Sequence, residues 1–142
     1  MVTHPIVGTW KLESFMELDI ERSATSYPMG RKAKATVIYT ASGHVATIFA
    51  ADSRNAAKAT PATDAEAAHL FRTMVAFAGR YETNGEELIY YPDITWNEAW
   101  TGTRQVRHFE IVGDSLRIRS IPAKSALSEA MTSMAMTWKR VA

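Results

Sequence analysis

A chain of 142 residues holds one domain with a sizeable core and is too short for two. It is 46% apolar and 22% charged with a formal net charge of +1, which excludes wholesale disorder and leaves no strong field for nucleic acid or an anionic membrane. It has no cysteine, so disulfides and thiolate metal sites are excluded, and no apolar run reaches the roughly 18 residues of a membrane-spanning helix.

The first predicted element is a strand. From Val7 to Leu18 the residues alternate, with Trp10, Leu12, Met16 and Leu18 on one face and Lys11, Glu13 and Glu17 on the other. Pro28 and Gly30 then give turn chemistry, and the basic stretch 30–34 reads as a solvated turn. Residues 34–40 are β-branched and aromatic. They pair across the turn 41–44 with a second strand, 44–50. One helix is predicted from about 64 to 78. Thr63 and Glu66 form its capping box, Ala68, Phe71, Met74, Val75 and Ala78 share its apolar face, and Gly79 stops it. Two hairpins follow, one turning at Asn84-Gly85 and one at Gly113-Asp114. The last strand sets Met134, Met136 and Trp138 against Ser133, Ala135 and Thr137. About eight sequential strands with one inserted helix predict a mainly β protein: a single-domain antiparallel up-and-down barrel over residues 1–142, capped at one mouth. The N-terminus lacks the basic-then-apolar layout of a secretion signal, so a cytoplasmic location is expected.

Gly8-Thr9-Trp10-Lys11-Leu12 and the late Met136-Thr137-Trp138-Lys139-Arg140 resemble the calycin superfamily of small antiparallel barrels. Within it the chain is similar to the bacterial and fungal lipocalin-like domain proteins of about 140 residues. The similarity rests on five segments in order: Gly8 to Leu12, Tyr27 to Gly30, Tyr39 to His44, Ala78 to Tyr81 and Gly102 to Arg107. The resemblance implies that Trp10 packs across the barrel floor under a basic residue of the last strand, Arg140 or alternatively Lys139. Many relatives carry His-His before an acidic residue where this chain has Tyr90-Tyr91-Pro92-Asp93, so any chemistry of that pair does not carry over. Fatty-acid-binding proteins fit less well, because their helices follow the first strand. A cone of the nuclear-transport-factor-2 type would begin with helices, and this chain begins with a strand.

Polar residues on inward barrel faces are the site candidates. Gln105, Arg107, Phe109 and Ile111 share a face, expected to be the inner one, with Asp93 as partner for Arg107. That pair is either a ligand anchor or purely structural. The Tyr91/Asp93 face of its strand is favoured as inward because it offers Arg107 that partner. Trp96 and Trp100 near the mouth would stack on a flat ligand or pack as a lid; Tyr39 and Tyr81 would line the cavity or simply fill the barrel. His44 is either a general base or a turn cap. No two histidines have metal-ligand spacing, and neither a metal nor a cofactor is expected. Met74, Met131, Met134 and Met136 suit a core or an adaptable apolar pocket. The primary expectation is a barrel binding one small hydrophobic or aromatic molecule through Arg107, Gln105 and a tyrosine hydroxyl. The alternative is a cavity isomerase, cyclase, dehydratase or hydrolase, with Asp93 as base, Arg107 as electrostatic stabiliser, and Tyr91 or Tyr39 as acid. No nucleic-acid partner is expected; a homodimer through Val106 and Val112 is open.

Overall fold

The structure, a computed structural model, describes residues 3–124 and 131–142. In chain order it runs β1 (Gly8–Asp19), β2 (Ala24–Ser26), β3 (Lys34–Tyr39), β4 (His44–Ala50), helix α1 (Asp64–Arg72), β5 (Met74–Asn84) and β6 (Glu87–Thr95). A 3-10 turn, η1 (Glu98–Trp100), precedes β7 (Gln105–Val112), β8 (Ser115–Arg119), β9 (Ala123–Lys124) and β10 (Met131–Arg140). Neighbouring strands pair in the order β1-β3-β4-β5-β6-β7-β8-β10, and β10 pairs back onto β1. The eight long strands therefore form a closed antiparallel up-and-down barrel, and closure leaves no long edge to template aggregation. The short β2 and β9 extend the rim beside β1 and β10.

The two ends of the barrel differ. The hairpin turns β3–β4, β5–β6 and β7–β8 gather at one end together with the start of β1 and the end of β10; α1, η1 and the end of β8 lie at the other. The first end is a plugged floor. Trp10 is fully buried, its indole N–H donates to the Ile6 carbonyl at 2.9 Å, and the Arg140 guanidinium lies 4.2 Å above the ring. Arg140 also donates to the carbonyls of Val7 (3.1 Å) and Pro5 (2.6 Å) and stands 3.7 Å from Asp114. Trp10 and Arg140 are directly opposite in the β1–β10 ladder, whereas Lys139 is exposed. Gly8 permits this closure: a Cβ there would stand 2.6 Å from the Ala142 carbonyl oxygen.

Three expectations are corrected. The helix is inserted where expected and its capping box forms, but it ends at Arg72. The Thr73 hydroxyl caps it by donating to the His69 carbonyl at 2.7 Å, and Met74 to Gly79 continue as β5, paired residue for residue with β4. The apparent helical face from Met74 to Ala78 is thus strand: Val75 and Phe77 point inward, and Met74 and Ala78 outward. A strand rich in β-branched and aromatic neighbours, paired along its length, outweighs helical spacing of small residues. Gly79 does not stop a helix. It faces Pro92, and a Cβ there would run into the Tyr91 carbonyl.

Of the other two corrections, the one in β1 comes from a bulge, whereas in β6 the inner face is already set before its bulge. In β1 the register slips between Leu12 and Ser14, leaving Glu13 as the extra residue of a β-bulge. Trp10 and Leu12 face inward before it; Phe15 and Glu17 face inward after it, so Leu18 is exposed and Glu17 is buried. In β6 the slip falls between Ile94 and Pro92, with Asp93 as the extra residue. Leu88, Tyr90 and Pro92 are buried before it, and Ile94 beyond it is 70% exposed.

Candidate functional site

Above the floor the barrel holds a cavity of about 610 Å³. Its walls are mostly apolar and aromatic: Phe15, Phe49, Val75, Phe77, Met134, Met136 and Trp138. Each sits at an inward position of its strand, which is why strand alternation delivers one apolar lining from several distant sequence segments. The lid is aromatic too. Trp100 on η1 borders the cavity and packs on Phe77 (6.1 Å between ring centroids) and on Trp96 (4.9 Å), which reaches Phe71 of α1 at 6.3 Å.

The polar part of the site is carried by β6 and β7. In their ladder Tyr90 faces Gln105 and Leu88 faces Arg107, so all four side chains share the inner face and Tyr90 is a diagonal neighbour of Arg107. A file of hydrogen bonds runs along β7 from the lid. Thr103 donates to the Trp100 carbonyl (2.6 Å), Gln105 Nε2 donates to Thr103 Oγ1 (3.0 Å), and Arg107 donates one N–H to Gln105 Oε1 (3.0 Å). A further Arg107 N–H reaches the Val106 carbonyl at 3.1 Å, and Nε finds no partner. Burial pushes the guanidinium below its usual pKa, with the neighbouring Tyr90 opposing that shift.

Tyr90 connects this group to a second tyrosine. Its hydroxyl lies 2.6 Å from that of Tyr39, whose ring stacks on it at 6.4 Å. Both are fully enclosed. Burial, more than any neighbour, pushes the Tyr90 hydroxyl up to about 12 and the Tyr39 hydroxyl well above its usual range. Tyr90 borders the cavity, while Tyr39 lies behind it toward the floor, edge-on to Tyr81 at 5.1 Å.

The structure brings together Gln105, Arg107 and Trp100 among the expected site residues. It does not bring Tyr91 or Asp93 to them. Tyr91 points outward, its ring under Arg80 at 4.8 Å and its hydroxyl donating to Glu82 at 3.3 Å; Asp93 is exposed at the bulge. The favoured inner face of β6 is thus reversed, because Leu88, Tyr90 and Pro92 are the side chains that bury. Trp96 faces an outer concavity bounded by Ile38, Ile48 and Ile94 rather than the cavity. Tyr81 donates to the Thr40 carbonyl at 2.7 Å near the floor. His44 is exposed in its turn, with Nδ1 3.1 Å from the Ser42 hydroxyl. Val106 borders the cavity and Val112 is exposed; Met74 faces outward and Met131 is exposed at the rim.

Sequence reasoning missed Tyr90 and Glu17 as cavity residues. Tyr90 carried a signal, since Leu88, Tyr90 and Pro92 repeat at period two. Glu17 did not, because a bulge changes the phase without changing composition. Among the described residues, no group of three or more histidine, aspartate or glutamate side chains is placed to hold a metal ion.

The model of the lipocalin-like domain family matches residues 7–141, nearly the full chain, and the chain belongs to that family. No curated protein and no solved structure matches it.

Proposed function

We propose that this barrel binds one small hydrophobic or aromatic molecule in its central cavity, with the polar end of the ligand at Arg107 and Gln105. The observation that carries the reading is an apolar, aromatic-walled cavity of about 610 Å³ with a small set of polar groups gathered on one wall. That combination is the usual anatomy of a small-molecule site, in which apolar area supplies affinity and a few polar groups supply orientation. Acid–base turnover with Asp93 as base gains no support from this geometry, because that carboxylate is outside the barrel.

Titration with the neutral fluorescent probe N-phenyl-1-naphthylamine tests the reading. One saturable site is expected. It should be weakened tenfold or more by Met134→Trp, which fills the cavity from a half-buried position on β10. Absence of saturable binding, or binding indifferent to Met134→Trp in a folded protein, overturns the proposal.

A further inference from the structure

Two cations border this cavity: Arg104 is exposed, whereas Arg107 is set into the inner wall and its hydrogen bonds, among the described residues, all go to neutral acceptors. A guanidinium has five N–H bonds and stays charged. Here one is donated to a backbone carbonyl and one to an amide oxygen, while Nε is enclosed with no acceptor. Asp93, the carboxylate that the sequence offers nearby, is outside. Glu17, the buried acid of the same cavity, is engaged in an interaction of its own.

Other donors point the same way. Trp138, also in the cavity wall, has an indole N–H without a partner. Tyr39 and Tyr90 share a single hydrogen bond. Tyr39 is sealed behind the cavity, and Tyr90 is the hydroxyl it can reach, so its proton belongs in that bond, since a buried O–H is costly to leave unmatched. That leaves the proton of Tyr90, which borders the cavity, for something inside it. The wall therefore offers a fixed positive charge and a phenolic donor on diagonal positions of two paired strands, surrounded by aromatic rings, and among the described residues no carboxylate is hydrogen-bonded to either.

We propose that the ligand is an aromatic oxyanion, a carboxylate or a phenolate on a flat apolar body, with its charged oxygen received by Arg107 and Tyr90. This rests on the binding reading above and adds the charge of the ligand to it. A neutral carbonyl would provide one more hydrogen bond. An oxyanion provides the missing counter-charge as well, and charge-assisted bonds of this kind are about twice as strong as neutral ones. The ring faces and edges of Phe15, Phe49, Phe77 and Trp100 suit a flat body better than a branched one.

The test is calorimetric titration with 2-naphthoate and with 2-naphthamide, which has nearly the same shape and no charge. Naphthoate is expected to bind at least tenfold more tightly. That advantage should vanish in Arg107→Met, while amide binding stays within a few-fold, and Tyr90→Phe should reduce it in part. 2-Naphthol distinguishes the two oxyanions: a bound spectrum of naphtholate at a pH where the free compound is neutral selects the phenolate, and a neutral spectrum selects the carboxylate. Equal affinity for acid and amide, or an advantage that survives Arg107→Met, overturns the proposal. If N-phenyl-1-naphthylamine still binds in that case, only the charge of the ligand was misjudged. If it does not bind either, the binding reading itself has failed.

Discussion

Arg140 and Arg107 both turn inward in the same barrel, and their surroundings are opposite. Arg140 at the floor covers the Trp10 ring at 4.2 Å, donates to two backbone carbonyls and stands 3.7 Å from Asp114. Arg107 beside the cavity has two neutral acceptors and an Nε with none. A buried cation is tolerated when the fold itself supplies its partners, and then it is part of the architecture. One that is left short of partners next to an open apolar space weakens the fold, and such departures from local consistency collect at functional sites. On the proposed reading, the floor serves stability and the cavity serves recognition.

The strongest challenge to that division is Trp10→Ala. Truncating a fully buried tryptophan is expected to destabilise by roughly 3–5 kcal/mol in urea denaturation. Where the protein is still folded, its affinity for N-phenyl-1-naphthylamine should stay within a few-fold of the wild type. Trp10 is absent from the cavity wall. Lost binding in a folded Trp10→Ala protein would mean that floor and cavity are one unit.

The tyrosine pair lies between the two regions and gives a pH-dependent test. In the unfolded chain a tyrosine ionises near pH ~10. In the fold, burial pushes Tyr90 to about 12 and moves Tyr39 in the same direction. Between those values the unfolded chain releases protons that the folded one keeps. Stability is therefore fully present below about pH 10 and is lost as pH rises through about 12. Tyr90 alone accounts for a loss on the order of 2–3 kcal/mol. Denaturation curves from pH 9 to 12 should show this decline, and Tyr90→Phe should flatten it. A decline of the same steepness in Tyr90→Phe would show that the pair is not sealed.

What could be read from the sequence follows the regular parts of the barrel. β10 runs without a bulge, and its alternation gives Met134, Met136 and Trp138 correctly as one inward face. β7 does the same for Gln105 and Arg107. The order of strands followed from the run of sequential hairpins, and the floor contact between Trp10 and Arg140 from the family resemblance of the segments that carry them rather than from alternation. Glu17 was misplaced because one inserted residue in β1 reverses the alternation beyond it. Asp93 was misplaced for another reason: the inner face of β6 was chosen to give Arg107 a partner, although Leu88, Tyr90 and Pro92 mark the opposite face. Gly79 of β5 was the available clue to the bulge in the facing β6. A glycine within a strand signals close backbone approach as readily as a helix end, and here it accommodates the Tyr91 carbonyl.

The smallest effect is also the most discriminating one. Methionine keeps much of the apolar stem of arginine and removes the charge, so Arg140→Met and Arg107→Met isolate what each guanidinium contributes. Arg140→Met loses a cation–π contact and hydrogen bonds to a charged donor, and a cost of about 2 kcal/mol is expected. Arg107→Met loses two hydrogen bonds to neutral acceptors but also removes a largely buried charge that has no counter-ion among the described residues, so its stability should lie within about 1 kcal/mol of the wild type, with a gain as the expected sign. Urea midpoints of the two variants, measured side by side, decide the matter. If Arg107→Met costs as much as Arg140→Met, then Arg107 holds the barrel together as Arg140 does, and the cavity loses the group that distinguishes it from the floor.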